Sequence, residues 1–314
     1  MRILQISDLH LQKSYKTAEV VKKILDRFFD ILSKNAGKEA FDFVVITGDI
    51  RNGSNGITVS EANELLEELV MSAGLTTKRQ LHIVPGNHDL ERKKEEDSVK
   101  AARDSYDYDN GVFADGEKTL SALNERFIPF FFKMCNEFYG EDDYWVHRNV
   151  NPHYLIQKDE TALIFLNSAI SCLESEKDGK LILGRTYVLQ LLEQINAEST
   201  KRILIFAHHP IENMRSREKT ALTNLLKAYS DKGISICWFC GDVHANTSGD
   251  VDGIPYYQAG SLCVTNRDKM VVIPEFVIYD IDDDNKINHR VFRFLQHLNS
   301  HSLPPGGWKL VYDD

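Results

Sequence analysis

The sequence is poor in the residues that mark several special classes of protein. Its 314 residues include only eight prolines and 18 glycines, and 42% of them are hydrophobic. This composition excludes collagen-like, coiled-coil and disordered chains. No apolar run approaches the ~18 residues that span a bilayer. The N-terminus, Met-Arg-Ile-Leu-Gln-Ile-Ser-Asp, is interrupted by charge too early for a signal peptide, so we expect a cytoplasmic protein without a membrane partner.

Cysteines are also few, and their number is odd. The five are Cys135, Cys172, Cys237, Cys240 and Cys263. We expect free, mostly buried thiols in a reducing compartment. Cys237 and Cys240 have C-x-x-C spacing, but they lie in an apolar, strand-like run. Strand alternation places their side chains on opposite faces, which favours a core role over metal or redox chemistry.

Positive charge is in deficit. The chain has 37 Lys and Arg against 47 Asp and Glu, so its formal net charge is −10. An acidic protein is poorly suited to coat long duplex DNA or an anionic membrane. A small phosphate ligand is compatible with this charge if bound metal ions supply the missing positive charge.

Hydrophobic patterning predicts an alternation of strands and helices up to about residue 248. The predicted strands in this part are Arg2–Ile6, Phe41–Thr47, Leu81–Val84, Tyr154–Lys158, Ala162–Leu166, Ile203–Ala207 and Ile234–Cys240. Helices are predicted over Thr17–Asn35, after a capping box at Thr58–Glu61, over Arg185–Ala197 and over Lys219–Ser230. The remaining strands, Tyr256–Gln258, Glu275–Ile281 and Lys286–Phe294, lack intervening helices. The fold class is therefore α/β with mixed sheets.

Two segments depart from this alternation within a predicted single catalytic domain, 1–314. Residues 91–151 are charged at first and then rich in aromatic residues. We interpret them as a helical insertion that could cap the core, with most of the aromatic rings forming a small core of their own. Residues 300–314 are predicted to form an irregular C-terminal tail that packs through Trp308. No pattern in the sequence predicts an oligomeric state.

Polar residues suited to metal binding follow five of the predicted strands. They form the groups Asp8-Leu-His10, Gly48-Asp49, Gly86-Asn87-His88-Asp89, His208-His209-Pro210 and Gly241-Asp242-Val243-His244. Groups at the carboxyl ends of neighbouring strands converge on one crevice. Carboxylate and amide oxygens mixed with imidazole nitrogens suit Mn, Fe or Zn rather than an all-oxygen calcium site.

This series resembles the calcineurin-like metallophosphoesterase superfamily, whose pattern is D-x-H, G-D, G-N-H-D/E, H and G-H-x-H. The resemblance extends from residue 1 to about residue 265. It implies a four-layer α-β-β-α sandwich of two mixed β-sheets flanked by helices, with two divalent metal ions. By this resemblance Asp8, His10 and His244 hold the first ion, Asn87 and His208 hold the second, and Asp49 bridges them.

One position departs from the family pattern, because Asp242 stands where the family usually has histidine. The resemblance then implies that a carboxylate completes the second metal site. Asp8, Asp49 and Asp242, with a bridging hydroxide, would balance two divalent ions to a formal charge of zero. Our hypothesis is that the site prefers harder ions, Mn above Fe or Zn, and holds anionic product less tightly.

The resemblance also implies a mechanism in which a metal-bridging hydroxide attacks phosphorus in line. His88 is then the general acid, or a donor to a phosphoryl oxygen, and Asp89 orients its ring. His209 follows the ligand His208 and is predicted to lie behind it.

The substrate is predicted to be a small phosphodiester or a nucleotide. The predicted substrate-binding residues are Arg51, His209, Arg215 and Arg217. Arg92–Lys94 form another basic group, but the acidic residues around them favour a solvated helix face.

Two other functions remain open. A nuclease acting on single strands or oligonucleotides resembles the DNA-repair branch of the superfamily, although the acidic charge argues against it. A non-catalytic scaffold on the same fold is the remote alternative, because such members lose metal ligands and here every position is filled.

Overall fold

The structure is a computed structural model that describes all residues except 14, 36–39, 92–95, 174–179, 264–265, 268–269, 296–306 and 314. The strands are β1 (Arg2–Ile6), β2 (Phe43–Ile46), β3 (Leu81–Ile83), β4 (His153–Lys158), β5 (Thr161–Leu166), β6 (Arg202–Ala207), β7 (Ser235–Cys240), β8 (Thr247–Val251), β9 (Ile254–Gln258), β10 (Asn266–Arg267), β11 (Met270–Val271), β12 (Glu275–Ile281), β13 (Ile287–Leu295) and β14 (Gly307–Asp313). The α-helices are α1 (Glu19–Asn35), α2 (Val59–Ser72), α3 (Glu96–Asp104), α4 (Glu117–Asn124), α5 (Lys133–Tyr139), α6 (Arg185–Leu192) and α7 (Ser216–Ser230).

Two mixed six-stranded sheets form the centre of the molecule. The first has the order β14-β13-β12-β1-β2-β3, in which β1, β2 and β3 are parallel. The second has the order β4-β5-β6-β7-β9-β8, in which β5, β6, β7 and β9 are parallel. In each sheet the parallel strands end at one edge, so the loops that follow them lie close together. The predicted α/β sandwich of two mixed sheets is confirmed.

The core between the sheets contains a row of stacked aromatic rings. Tyr154, Phe165, Phe206, Phe239 and Tyr257 come from β4, β5, β6, β7 and β9, and each stacks on the next at 4.6 to 5.4 Å between ring centroids. Neighbouring rings in the row are also register partners in the sheet. Cross-strand aromatic pairs of this kind stabilise a sheet and fix its register.

The two sheets contact each other through β7 and the strands that face it. The ring of Phe239 lies 4.9 Å from the ring of Tyr279 on β12. Gln5 on β1 donates a side-chain hydrogen bond of 2.9 Å to the carbonyl of Cys240. These contacts bring together the ends of β1 and β7, after which Asp8 and Asp242 lie.

Helices cover the outer faces of the sheets. Helix α2 begins with the predicted capping box, in which Thr58 accepts from the backbone of Glu61 and Glu61 accepts from the backbone of Thr58. On α1, Phe28 packs against Phe276 of β12 at 5.2 Å. Among the described residues no helix is long and apolar enough to cross a membrane. The five cysteines are free and buried, as predicted.

The segment 91–151 contains α3, α4, a π-helical turn at Ile128–Phe132 and α5. Its aromatic rings do not form a separate core, which corrects the sequence interpretation. Phe127, Phe131 and Trp145 are buried in the main core. A smaller cluster is built instead from the start of the insertion, including Val99 and Phe113, together with residues near α6. The aromatic part of the insertion is therefore an integral wall of the domain.

The C-terminal prediction requires a second correction. Residues 307–313 form β14, which pairs antiparallel with β13, while 300–306 lie outside the described residues. Trp308 packs on Phe28, Phe276 and Phe294, at 4.9 to 6.1 Å between ring centroids. The strand forms because β13 otherwise leaves an unpaired edge and because the indole gains apolar contacts against α1.

Candidate metal centre

The predicted metal ligands meet where parallel strands of both sheets end. Asp8, Asp49 and Asn87 lie on the loops after β1, β2 and β3, while His208 and Asp242 lie on the loops after β6 and β7. Four overlapping groups of acidic and histidine residues in this region bring their ligand atoms within 4.8 Å of one another. The convergence predicted from the strand ends is therefore present.

One part of the cluster consists of Asp8, His10 and His244. The Nε2 atoms of the two histidines are 2.9 Å apart. Oδ1 of Asp8 lies 3.4 Å from Nε2 of His10 and 3.2 Å from Nε2 of His244. Ligand atoms about 2.0–2.2 Å from a shared ion lie ~3 to 3.5 Å from each other, so this triangle has the dimensions of a metal site.

The other part is centred on His208. Its Nε2 lies 3.0 Å from Oδ1 of Asn87 and 3.7 Å from Oδ1 of Asp242. Oδ2 of Asp49 lies 3.4 Å from Nε2 of both His10 and His208, so it stands between the two parts. This is the location that a bridging carboxylate requires.

In each of the three carboxylates, one oxygen accepts hydrogen bonds from the surrounding protein. Oδ2 of Asp8 accepts from Ser7 Oγ at 2.6 Å and from the backbone of Asp242 at 3.0 Å, while its Oδ1 is buried with no hydrogen-bond donor among the described residues. Oδ1 of Asp49 accepts from the backbone of His88 at 2.7 Å, and Oδ2 of Asp242 accepts from Asn213 at 3.1 Å. In each carboxylate the other oxygen faces the cluster.

The His208 ring is held in a single orientation. Its Nδ1 is 2.7 Å from the carbonyl of Thr47, and because a carbonyl can only accept, Nδ1 donates the proton. Nε2 of the neutral ring then carries a lone pair, and the Asn87 oxygen that it faces is also an acceptor. A cation between them satisfies both groups, in the arrangement common for metal-binding histidines.

The electrostatics are those of a site lacking positive charge. Burial opposes ionisation of Asp8 and Asp49, but the neighbouring histidines, including His10, lower the pKa of both carboxyl groups below the usual range. Burial also opposes the charged form of His208. The charges of Asp49, Asp8 and Asp242 nevertheless raise its pKa well above the usual value. Metal ions would replace protons on these histidines.

The backbone at the cluster is strained in a regular way. Nine non-glycine residues in the described part of the chain have positive φ, and five of them are candidate ligands. They are Asp8 (52°), His10 (46°), Asp49 (55°), Asp242 (71°) and His244 (61°). Asp8-Leu-His10 and Asp242-Val-His244 thus repeat one conformation on the two sheets. Strain of this kind is characteristic of functional sites.

Two glycines allow the ligand loops to approach each other. A Cβ on Gly86 would lie 2.1 Å from Oδ1 of Asp49, and one on Gly241 would lie 1.9 Å from Oγ of Ser7. Neither position has room for a side chain. The donor set, the orphaned Asp8 oxygen and the facing acceptors together fit a pair of divalent ions.

His88 and Asp89 follow the ligand Asn87 but occupy different surroundings. The His88 side chain is 29% exposed, its ring packs edge-on against His10 at 4.5 Å, and its Nε2 lies 4.0 Å from Oδ2 of Asp49. Asp89 is fully buried, and its carboxylate accepts from the backbone N–H groups of Asp49, Gly86 and Arg51. The Asp89 carboxylate thus holds main-chain donors of the ligand loops, and its predicted role in orienting the His88 ring stays a prediction.

The predicted substrate-binding residues are dispersed. Arg51 lies beside the cluster, two residues after Asp49. His209 is buried, and its Nδ1 lies 2.9 Å from Oγ of Ser168. Burial lowers the pKa of His209 to about 4, so its ring is neutral near pH 7.

Arg215 and Arg217, which were predicted to bind substrate, contact the insertion. Arg215 donates to the Tyr108 hydroxyl at 2.9 Å, and Arg217 pairs with Asp109 at 3.2 Å. These contacts indicate that the two arginines attach the insertion to the start of α7. The basic residues Arg92–Lys94 lie outside the described residues.

Sequence reasoning missed two residues that position the ligands. The hydroxyl of Ser7 donates a hydrogen bond to Oδ2 of Asp8, and the side-chain amide of Asn213 donates one to Oδ2 of Asp242. Ser7 directly precedes the predicted ligand Asp8, so its place in the sequence could have identified it. Asn213 lies 29 residues before its partner and has no motif around it, so no sequence signal could have identified it.

The sequence and the fold were compared with known proteins. The family model for calcineurin-like phosphoesterases matches residues 1–246. Among curated proteins, the uncharacterized metallophosphoesterase-like protein YydB of Bacillus subtilis (strain 168) is 25% identical over 296 residues. That alignment covers 91% of this chain but only 57% of the relative, so the chain spans little more than half of the relative's length.

Solved structures of similar fold show low identity. A dimetal phosphatase from Danio rerio is 13% identical, with a TM-score of 0.48, over 93% of this chain and 95% of that chain. Wild-type Vps29 from Entamoeba histolytica complexed with Zn²⁺ is also 13% identical, with a TM-score of 0.40, over 100% of this chain and 99% of that one. The family match covers most of the chain and all the candidate ligands. The chain therefore belongs to the calcineurin-like phosphoesterase family, whose matched region contains the metal-ligand cluster described above.

Proposed function

We propose that the protein is a metal-dependent phosphodiesterase acting on a small or nucleotide-type substrate. The observation that carries this proposal is the position of Asp242, whose Oδ1 lies 3.7 Å from Nε2 of His208 in the cluster. A third carboxylate reduces the positive charge that the loaded site presents to a phosphate.

This charge favours diesters over monoesters. A phosphodiester carries one negative charge at neutral pH, whereas a monoester carries close to two because its second pKa is about 6. Two bound divalent ions would keep little net positive charge beside the three carboxylates of Asp8, Asp49 and Asp242. The monoester dianion therefore gains less from this site than it would from a site with histidine at 242, and the diester loses little.

Asp8, His10 and His244 would hold one ion, and Asn87, His208 and Asp242 the other, with Asp49 between them. Bound divalent ions would lower the pKa of a coordinated water and neutralise charge on the phosphoryl oxygens. We favour Mn, because carboxylate-rich sites suit harder ions, with Fe or Zn as alternatives.

The other side chains define the direction of approach. Asp8 and His208 are fully buried, whereas the side chains of His88 and Asp242 are 29% and 23% exposed. Substrate therefore enters on the side of His88. From there the ring of His88 can donate a proton to the leaving oxygen, or hydrogen-bond a phosphoryl oxygen.

A small substrate also agrees with the charge of the whole chain. At −10 the surface provides little attraction for a long polyanion, so phosphate recruitment depends on the metal ions. Long duplex DNA is the least favoured substrate for this reason.

The test is an activity screen with purified protein supplied with Mn²⁺, Fe²⁺ or Zn²⁺. Bis-p-nitrophenyl phosphate, p-nitrophenyl phosphate, cyclic nucleotides and single-stranded oligonucleotides are compared at equal concentration. We expect the diester to be cleaved with a higher kcat/KM than the monoester, with the highest rate in Mn²⁺. Asp49→Asn should lose at least about 100-fold in activity, whereas the exposed Asp97→Asn should retain it.

Each contrary result has a defined meaning. Preference for p-nitrophenyl phosphate would overturn the assignment as a diesterase. Cleavage of oligonucleotides without turnover of any small diester would favour the nuclease function. No hydrolysis of any substrate with any of the three metals would overturn the phosphoesterase function itself.

A further inference from the structure

A cavity of about 480 Å³ lies between the loops that carry the metal ligands and the insertion. Its walls include Lys13, Arg51 and Ser60, together with Phe130 and Lys133 of the insertion. A volume of this size is typical of small-molecule binding sites. None of these residues belongs to the metal cluster.

The loops that line the cavity follow directly on two of the metal-ligand motifs in the chain. Leu11 forms a β-bridge with Arg51, and Gln12 forms one with Gly56. These bridges join the loop after His10 to the loop after Asp49. Arg51 is two residues from Asp49, at most about 7 Å along the chain.

The Arg51 side chain is fixed by its surroundings, but one of its N–H donors makes no hydrogen bond to the described residues. Its side chain is 9% exposed, and its guanidinium lies 4.4 Å from the centre of the Phe130 ring. The carboxylate of Glu91 is 3.9 Å away, and the bond to the carbonyl of Asp89 is long at 3.5 Å. The charges of Asp89 and Glu91 both favour the protonated guanidinium. Within the described part of the chain, its Nε is buried without a hydrogen-bond partner. A buried, preoriented guanidinium with an unsatisfied donor is suited to an anion.

The surroundings strengthen this positive character. Lys13 and Lys133 line the same cavity, against the one carboxylate of Glu137. In a chain of net charge −10, this concentration of cations beside the candidate active site is unusual.

A second open cavity of similar volume, beside α7, offers a contrast. There Arg217 pairs with Asp109 and lies over the Tyr108 ring at 4.8 Å. Arg185 of that cavity donates to the carbonyl of Asp109 at 2.8 Å. Those arginines already serve to attach the insertion.

We propose that the cavity at Arg51 binds a second phosphate group carried by the substrate, while the first phosphate lies at the metal centre. The inference rests on the proposed function, since it assigns a substrate class to the same site. The substrate is then a phosphodiester that bears a further phosphate monoester on the same molecule. Arg51, Lys13 and Lys133 act together as the specificity residues, so the loss of both lysines leaves too little positive charge to hold the second phosphate.

The first experiment compares two substrates of the Mn²⁺-loaded enzyme. Thymidine 5′-(p-nitrophenyl phosphate) has one phosphate, and its 3′-phosphorylated derivative has two. We expect the 3′-phosphate to lower KM by about tenfold or more, as a charge-assisted phosphate contact does. Lys13→Ala combined with Lys133→Ala should remove most of this advantage and leave kcat/KM for the singly phosphorylated substrate nearly unchanged.

A matched control is provided by Lys22. Lys22 and Lys133 are both exposed helix residues with an (i, i+4) carboxylate, Asp26 and Glu137 respectively. Lys22→Ala should keep the full advantage of the 3′-phosphate. Equal KM values for the two substrates, or an advantage that survives the double variant, would overturn the subsite. Faster hydrolysis of the singly phosphorylated substrate in the presence of free sulfate would also overturn it, because the cavity would then bind an anion that is not part of the substrate.

A binding measurement separates this inference from the proposed function. Isothermal titration of the metal-loaded protein with thymidine 3′,5′-bisphosphate and with thymidine 5′-monophosphate requires no turnover. Tighter binding of the bisphosphate, lost in the double lysine variant, supports the subsite even if hydrolysis fails. Equal affinity overturns the subsite even if hydrolysis of simple diesters succeeds.

Discussion

The buried carboxylate of Asp89 accepts a hydrogen bond of 2.8 Å from the backbone N–H of Asp49, the residue that stands between the two parts of the cluster. The same carboxylate accepts from the backbone of Gly86 at 3.0 Å and of Arg51 at 3.2 Å. Burial and the negative charge of Asp49 raise the pKa of Asp89 to about 6. Asp89 thus fixes the loops after β2 and β3 relative to each other.

Asp89→Asn should weaken both the fold and the metal site. The amide would turn an N–H donor toward backbone donors, so at least one hydrogen bond is lost. We expect the free energy of unfolding to fall by about 1–3 kcal/mol. Metal affinity should fall by about 10- to 100-fold, as it does when partners that support metal ligands are lost. Urea unfolding and Mn²⁺ titration measure the two effects, and unchanged metal affinity would show that Asp89 does not position Asp49.

The exposed Asp97 on α3 provides the control for this substitution. Asp97→Asn makes the same chemical change away from the cluster. Its unfolding free energy should stay within about 0.5 kcal/mol of the parent, and its metal titration should be unchanged.

The strand ends that carry Asp8, Asp49 and His208 were predictable because buried strands leave a strong apolar signal and their polar ends are abrupt. The residues that hold Asp49 and Asp242 in place were not predictable. Asp89 binds main-chain groups whose positions depend on tertiary packing, and Asn213 reaches Asp242 from a different loop.

Two strands, β8 and β14, were not predicted because their sequences are not typical of strands. The polar sequence of β8, Thr-Ser-Gly-Asp-Val, forms a strand because it pairs with β9 at the edge of its sheet. Strand β14 begins at Gly307, the last residue of a Pro-Pro-Gly-Gly stretch that is typical of irregular chain, yet Trp308 packs it against α1. Packing decided both cases.

Asp242→His restores the residue that the family pattern usually has, and it adds one positive charge to the loaded site. We expect metal preference to move from Mn²⁺ toward Zn²⁺, because imidazole is a softer ligand than carboxylate. Inorganic phosphate should inhibit more strongly, by about three- to tenfold, because the site attracts a dianion better. The ratio of activity with Mn²⁺ to activity with Zn²⁺ and the inhibition constant for phosphate measure these effects. If neither the activity ratio nor the inhibition constant changes, the charge argument for Asp242 is wrong.

Gly241→Ala should displace a ligand by steric contact alone. The new Cβ would lie 1.9 Å from Oγ of Ser7 and 2.7 Å from Oδ2 of Asp8, so the Asp8 carboxylate must move. We expect a loss of about 1–3 kcal/mol in stability and at least tenfold weaker metal binding. Gly307→Ala is the control, because a Cβ there meets nothing within 4 Å. Wild-type metal affinity in Gly241→Ala would contradict the close packing of these loops.

His82 on β3 should make stability depend on pH without taking part in the site. Its ring is fully buried among Phe43, Tyr144 and Phe165, and neither ring nitrogen has a hydrogen-bond partner among the residues described. Burial lowers its pKa to about 3. Below pH ~6.5 the unfolded chain therefore takes up a proton that the folded chain does not, and stability falls as the pH falls.

From pH 8 to pH 5 this single histidine should cost about 2 kcal/mol of unfolding free energy, at 1.36 kcal/mol per pKa unit. His82→Phe removes the titrating group and places apolar edges against the surrounding rings. Urea unfolding at pH 8 should show a small change of either sign, while the difference between pH 8 and pH 5 should shrink by about 2 kcal/mol relative to the parent protein. If His82→Phe and the parent lose equal stability at pH 5, a partner for the imidazole must form in solution, and the ring would not be isolated in the core.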